Sequence, residues 1–194
     1  MAEPADPLAL FRQWLTEARQ GESQWSDALV LATASGAGRP SVRAVMLRGL
    51  DDAGLIFFTD DGSRKGRELA DNPWAAAVFL WPQAKREVQV EGPVTRLAGE
   101  EADAIFADRP ADRRLPLWAW RQDAEIASAA DLEASLADAR LRLAGRPVGR
   151  PPYWAGFRLN PQAMEFWEER PEGLHERTRY QRMGAVWSKQ RLAP

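Results

Sequence analysis

Short apolar segments separated by turn sequences run through this chain of 194 residues, and they limit the folds open to it. The first two segments, 28–35 and 41–50, flank the turn 36–39, an arrangement typical of a β-hairpin. Further strands are predicted at 55–59, 74–81, 87–97, 153–159, 163–167, 177–182 and 186–191. Gly92-Pro93 indicates a bulge or an edge strand within 87–97. Because the predicted helices are grouped and do not alternate with strands, we expect a mainly β (α+β) fold, an antiparallel barrel with added helices, and not a Rossmann sheet.

Helices are predicted at the N-terminus and in the middle of the chain. Residues 7–20 place their apolar side chains on one helical face, and Asp6 is a suitable N-cap. Ser63 can cap a short helix, and a helical insertion is predicted over about residues 99–143. The strands of 153–194 complete the chain. We expect one domain over the whole chain, because the last segment is too short to fold alone.

Composition excludes several classes of site and partner. The chain has no cysteine, so disulfides and cysteine-based metal sites are excluded, and its single histidine, His175, excludes a multi-histidine metal site. A net charge of −2 argues against a nucleic-acid partner. No apolar run approaches the ~18 residues that a transmembrane helix needs, and the first residues lack the basic and apolar regions of a signal peptide. We therefore expect a cytoplasmic protein with no metal, no nucleic acid and no membrane partner.

The first chemically informative cluster is Arg43 with the segment 62–66, Gly-Ser-Arg-Lys-Gly. Free backbone N–H groups at a helix start, together with the cations Arg64 and Lys65, make a suitable phosphate site. The same residues are also typical of a solvated capping turn with surface charges. The local pattern leaves both interpretations open.

The second cluster is the segment 164–177, which contains Trp167, His175 and Arg177. If residues 175–177 are extended, the side chains of His175 and Arg177 point to the same face. Arg177 could then stabilise negative charge on a reduced ring, and His175 could contact substrate or carry a proton. A single histidine near a strand end is also typical of a surface or capping residue.

The order and spacing of these stretches resemble the pyridoxine 5′-phosphate oxidase family over nearly the whole chain. The matching stretches are DPLALFRQWL, ALVLATASGAGRPSVRAVMLRGLD, GLIFFTDDGSRKGRELADNP, EFW-x₆-LHER and WSKQRLAP. The resemblance implies a homodimeric, FMN-binding split β-barrel with one FMN per subunit at the dimer interface. It also implies a small anionic heterocycle as the substrate.

Carried over by position, the resemblance implies an extended set of FMN contacts. They are Arg43, Ala44, Val45, Met46, Leu47, Arg48, Phe58, Thr59, Arg64, Lys65, Glu87, Gln122, Trp167 and Arg177. Arg43, Arg64 and Lys65 would hold the phosphate, and Arg177 would approach the isoalloxazine ring. Two positions depart from the family, with Glu87 in place of Gln and Asp123 in place of Ser. Glu87 could be protonated, turned away or paired with Arg86, and we expect FMN still to bind, with lower affinity.

The substrate positions depart further. By resemblance, the substrate contacts are Arg48, Arg109, Arg113 and His175, and the catalytic residues are His175 and Arg177. Four family residues are replaced: Lys by Arg48, Tyr by Ile105, Ser by Arg113 and Arg by Gly173. The resemblance favours oxidation of pyridoxamine or pyridoxine 5′-phosphate. Two alternatives remain, oxidation of another flat anionic heterocycle as in phenazine biosynthesis, and flavin or haem binding without turnover.

Overall fold

The computed structural model describes residues 6–21 and 25–194. Its strands are β1 Ala28–Ala34, β2 Pro40–Leu50, β3 Leu55–Asp60, β4 Trp74–Trp81, β5 Arg86–Arg96, β6 Trp154–Leu159, β7 Ala163–Glu168, β8 Glu176–Met183 and β9 Val186–Leu192. Its helices are α1 Pro7–Gly21, α2 Arg64–Asp71, α3 Gly99–Ala107 and α4 Ala129–Arg142, with 3₁₀ turns at Ala111–Arg113, Leu115–Trp118 and Pro171–Gly173. The predicted absence of a signal peptide concerns mainly residues 1–5, which lie outside the described residues.

Six strands close an antiparallel barrel in the order β4-β1-β2-β3-β6-β5, with β5 pairing back to β4. One edge of β5 is divided between two partners: residues 86–91 pair with β7, and residues 94–96 pair with β6. From that division β7, β8 and β9 continue as an extension of the sheet. The predicted antiparallel barrel with helical additions is confirmed.

Helix α1 packs its apolar face on the barrel core. Asp6 caps it as predicted, accepting a hydrogen bond from the Leu8 N–H at 3.0 Å. The Phe11 ring meets Phe79 edge-on at 4.9 Å between centroids, and Trp14 meets Phe166 at 5.2 Å. Each such buried side chain contributes about 1.5–3 kcal/mol, so α1 is an integral part of the core.

No bulge occurs at Gly92-Pro93 in the pairing with β4, which keeps its register there, but the other edge of β5 changes partner from β7 to β6 across these two residues. Gly92 is instead required by close packing, since a Cβ at this position would lie 2.0 Å from the Asn160 carbonyl oxygen. A bulge occurs in β2, where the pairing to β3 shifts across Arg48. Bulges redirect side chains, and Arg48 is one of the predicted substrate contacts.

The helical insertion is less buried than the barrel. In α4 Ala139 is the one buried residue, and residues 121–128, which precede α4, are exposed. Within residues 6–21 and 25–194, no helix is long and apolar enough to cross a membrane.

Candidate functional site

The start of α2, with Arg43 beside it, forms a cationic cradle, a name used below for Arg43, Ser63, Arg64 and Lys65. Ser63 is the N-cap, and its Oγ accepts from the Gly66 N–H at 3.3 Å. Lys65 is buried, with its Nζ 3.3 Å from Ser63 Oγ. Burial lowers the pKa of Lys65, and the charge of Arg43 lowers it further, while the Asp123 carboxylate opposes the shift. A buried cation at the positive end of a helix is suited to an anionic ligand.

Glu68 fixes the arginines of the cradle. Its carboxylate accepts from Ser41 Oγ at 2.6 Å, from Arg64 Nε at 2.9 Å and from Arg43 Nη2 at 3.3 Å. Thr33 Oγ1 also donates to the Glu68 carboxylate, and the same Thr33 hydroxyl accepts from Arg43 Nη1 at 2.6 Å. Burial acts to raise the pKa of Glu68, but these hydrogen bonds outweigh it and hold the pKa at about 2. The charged Glu68 therefore orients both guanidinium groups.

The loop containing Gln122 lies against the cradle in the same chain. Arg121 anchors it, with Nε and Nη2 each 2.6 Å from an oxygen of the buried Asp60. The Gln122 N–H also donates to Asp60 at 3.1 Å, and Thr59 Oγ1 donates to Gln122 Oε1 at 2.8 Å. Asp123 follows, and its Oδ2 accepts from the backbone N–H of Arg64 at 2.7 Å.

Glu87, Trp167 and Arg177 lie in register on three neighbouring strands. Glu165, which is buried, accepts from Arg177 Nε at 3.0 Å and Nη2 at 2.7 Å and so fixes the guanidinium. Glu87 accepts from Gln89 Nε2 at 2.9 Å.

The suggested pairing of Glu87 with Arg86 is wrong. Arg86 forms ion pairs with Glu17 and Glu168 and lies 4.4 Å from the Trp14 ring centroid. Adjacent residues of a strand point to opposite faces, so Arg86 faces α1 while Glu87 faces the other side.

His175 precedes β8, which begins at Glu176. Its Nδ1 accepts from the Arg170 N–H at 3.2 Å, and its ring lies 4.9 Å from Trp167. Gly173 has a φ of +73°, in the left-handed region that favours glycine. The position of His175 therefore depends on the turn before β8 as much as on the strand ladder.

A cavity of about 580 Å³ lies between α1, the bulge of β2 and α3. Arg48, Phe58, Ile105 and Arg109 contribute to its wall, and Arg113 lies close by, its carbonyl oxygen accepting from Arg109 Nε at 2.6 Å. Burial lowers the pKa of Arg48 and of Arg109, and the neighbouring arginines lower both further. Among the described residues, no carboxylate forms an ion pair with Arg48, Arg109 or Arg113. The cavity is suited to a small anion.

Of the predicted substrate contacts, the structure brings Arg48, Arg109 and Arg113 together, whereas His175 does not line this cavity in the described chain. Ala44 to Leu47 form the stretch of β2 between Arg43 and Arg48.

Several residues of the site were missed by sequence reasoning. Arg12, Thr16 and Arg19 on α1 line the cavity opposite β2. Trp154 also lines it, and its buried Nε1 has no hydrogen-bond partner among the described residues. The spacing of Arg64 and Glu68, four residues apart on a helix, was an available signal for the ion pair between them.

Comparison with known proteins gives matches for two segments of the chain. Residues 15–143 match the family model described as pyridoxamine 5′-phosphate oxidase. Residues 154–194 match the pyridoxine 5′-phosphate oxidase C-terminal dimerisation region. The chain belongs to the pyridoxamine 5′-phosphate oxidase family. The predicted family, split barrel and enzyme class, an FMN-dependent oxidoreductase, are thereby confirmed, and the dimerisation region supports a homodimer.

Curated members of the family are similar to this chain over nearly their full length. The pyridoxine/pyridoxamine 5′-phosphate oxidase of Rubrobacter xylanophilus is 45% identical over 193 residues, covering 100% of this chain and 88% of the relative. The enzyme of the same name from Pseudomonas paraeruginosa is 43% identical, covering 98% and 90%.

A solved structure is also similar to this chain. PhzG from Burkholderia lata, in complex with tetrahydrophenazine-1-carboxylic acid, has a TM-score of 0.93 and 34% identity, covering 100% of this chain and 95% of that one. An FMN-binding protein from Nostoc punctiforme, 20% identical with a TM-score of 0.79, shares the fold.

Proposed function

We propose that this protein is a homodimeric oxidase that uses FMN to oxidise a small anionic heterocycle. The proposal rests on one observation: β2 and β3 both extend from the cradle, which is suited to a phosphate, to the cavity lined by arginines. On β2, Arg43 lies at the cradle and the bulged Arg48 at the cavity. On β3, Thr59 contacts the loop beside the cradle, and its neighbour Phe58 lines the cavity.

The residues at the start of α2 fit the phosphate of FMN. A phosphomonoester needs several charge-assisted donors, and Arg43, Arg64, Lys65 and the helix N–H groups are of that type. Arg43 and Arg48 are five residues apart, roughly 16 Å on an extended strand, with Ala44 to Leu47 between them. The middle of β2 would therefore lie along the cofactor.

Bound FMN would supply the redox chemistry of the site, a hydride acceptor at N5 that molecular oxygen can reoxidise. Arg177 would stabilise negative charge on the ring, because Glu165 holds its guanidinium in a fixed orientation. His175, beside Trp167, would contact the substrate or carry its proton.

We place each complete site between two chains. Within the described part of one chain, no hydrogen bond or ion pair joins the cradle to Glu87, Trp167 or Arg177. The outer face of the barrel exposes Val30, Val42 and Leu80, with Val42 67% and Leu80 60% accessible. Apolar surface of this kind on strands next to the site is suited to a two-fold interface.

The substrate is anionic, because the guanidinium groups of Arg48 and Arg109 line one cavity and neither forms an ion pair with a carboxylate among the described residues. Pyridoxamine or pyridoxine 5′-phosphate is the first candidate, since the curated relatives carry those names. A bulkier anionic heterocycle is the second. It is favoured by the cavity of about 580 Å³, to which Ile105 contributes, and by the ligand in the PhzG structure.

Anaerobic mixing tests the function directly. The flavin-loaded protein is mixed with pyridoxamine 5′-phosphate, pyridoxine 5′-phosphate or tetrahydrophenazine-1-carboxylic acid, and the visible flavin band is followed. We expect at least one compound to bleach the band and air to restore it. A band that none of the three bleaches, in protein that has bound FMN, would contradict the proposed oxidase.

A further inference from the structure

We infer that Asp123 occupies the anion position at the start of α2, so that binding of the flavin phosphate displaces its carboxylate. The inference rests on the proposed function, because it assumes that the cradle holds the phosphate of FMN. It makes Asp123 a determinant of cofactor affinity and of the choice between FMN and riboflavin.

The position of the Asp123 carboxylate is well defined. Its Oδ2 accepts from the N–H of Arg64, the first residue of α2, at 2.7 Å. The two preceding residues are tied to Asp60 by three hydrogen bonds of 2.6 to 3.1 Å. Asp123 itself has a φ of +65°, a conformation that Asp and Asn tolerate better than most residues. The loop is therefore fixed in a form that directs this side chain at the helix.

The surroundings of the carboxylate are those of a bound anion. It satisfies an N–H group that would otherwise lack a partner within the helix. It lies close enough to Lys65 to oppose the lowering of the pKa of that buried ammonium. In the same region Ser63 Oγ already caps the Gly66 N–H, and Glu68 already accepts from the side chain of Arg64. The N–H of Arg64 is the helix donor that Asp123 takes.

A phosphate cannot use this donor while Asp123 holds it. One N–H cannot serve two anions at full strength, and a carboxylate beside a phosphate adds like-charge repulsion. Asp123 therefore stabilises the cofactor-free protein and opposes the phosphate. Riboflavin has no phosphate and does not meet this competition.

The test measures dissociation constants of FMN and riboflavin by quenching of flavin fluorescence, for the unchanged protein and for Asp123→Asn. Asn keeps an acceptor oxygen and tolerates the left-handed backbone, so the variant removes the charge and little else. Glu125→Gln, an exposed charge removed two residues away, is the matched control. Thermal unfolding of the cofactor-free proteins is recorded in parallel.

We expect Asp123→Asn to bind FMN about tenfold more tightly at low salt, with a smaller gain at high salt. Riboflavin affinity should stay the same in all three proteins, and Glu125→Gln should match the unchanged protein for both ligands. The cofactor-free variant should melt slightly earlier, because it loses a charged helix cap.

FMN affinity that is unchanged or lower in Asp123→Asn overturns the inference, as does an equal gain for riboflavin. If neither flavin binds the unchanged protein, the proposed function fails and this inference with it. Those two results are distinguishable, because the first leaves FMN binding intact.

Discussion

The two arginine groups of this protein differ in how their charge is balanced. At the cradle, Arg43 and Arg64 share the buried carboxylate of Glu68. At the cavity, Arg48 and Arg109 have no ion-paired carboxylate among the described residues. Burial lowers the pKa of both, and the charge of Arg113 lowers both further. The cradle is oriented before any ligand arrives, whereas the arginines of the cavity have carboxylates nearby, Asp27 and Asp112, but form no ion pair with them in the described chain. We therefore expect the stability of the cradle to depend on Glu68, and the charge of the cavity to act mainly on the binding of its anionic ligand.

Removing the shared carboxylate should have the largest effect. Glu68→Gln leaves the partly buried guanidinium of Arg43 and the exposed guanidinium of Arg64 without their counter-charge. We therefore expect a loss of about 3 kcal/mol in the free energy of unfolding, measured by urea denaturation. FMN binding should weaken as well, because Arg43 and Arg64 lose their orientation. Glu100→Gln, on an exposed turn of α3, is the control and should unfold like the unchanged protein.

The same carboxylate predicts a pH dependence. The pKa of Glu68 is lowered from 4.5 to about 2 in the folded protein, so its stabilising contribution is complete above pH 4.5 and is lost as pH falls towards 2. The difference in stability between the unchanged protein and Glu68→Gln should therefore shrink over that interval. A difference that stays constant from pH 5 to pH 3 would contradict the assignment.

Removing the cations of the cradle should weaken the binding of FMN but not that of riboflavin. In the double variant Arg64→Ala, Lys65→Ala, we expect FMN to bind about 100-fold more weakly, because two charge-assisted contacts to the phosphate are lost. Riboflavin should bind nearly as before. Arg67→Ala, a change of an exposed arginine on the same helix, serves as the control. Equal losses for FMN and riboflavin would exclude a phosphate at this position.

Removing an arginine from the cavity should weaken substrate binding and leave the bound cofactor unchanged. Arg109→Ala should raise KM for the anionic substrate about 30-fold, as expected when one charged contact is lost, and leave the bound flavin spectrum unchanged. Arg146→Ala removes an exposed arginine away from the cavity and should change neither value. A lower kcat with an unchanged KM would place Arg109 outside substrate binding.

The smallest predicted effect concerns Gly173, where an arginine side chain of the family is missing. Arg170 does not replace it, because its guanidinium pairs with Glu168 and Glu176. Gly173→Arg should raise kcat for pyridoxine 5′-phosphate about tenfold, since the restored charge acts mainly in the transition state. The φ of +73° strains any side chain here, so Gly173→Ala is the matched control for that strain. If the unchanged protein already turns over this substrate at about 1 s⁻¹, Gly173 does not limit its turnover.

The sequence predicted local features well because they depend on neighbouring residues. The strand β4 was predicted with its observed bounds, and Ser63 and Asp6 cap helices as expected. The cationic start of α2 could also be predicted, since a cap and two cations in a row are visible in the chain.

Features that depend on distant residues could not be predicted in this way. The partners of Arg86 are Glu17 on α1 and Glu168 on β7, both far from it in sequence and brought to it by the packing of α1 and the pairing of β5 with β7. The wall that α1 contributes to the cavity depends on how the helix lies across the barrel. The bulge at Arg48 depends on the pairing of β2 with β3, although Gly49, the next residue, was an available signal for it.

The position of the bulge in β2 also limits which sequence changes such a protein can accept. Because β2 carries the cradle at one end and the cavity at the other, the distance between cofactor and substrate is set by a count of residues along one strand. An insertion or deletion between Arg43 and Arg48 would shift the pairing of β2 with β1 or with β3 and so move the cradle relative to the cavity. Substrate preference along this strand can therefore change by replacement of single residues, as at Arg48 itself, but not by a change in length.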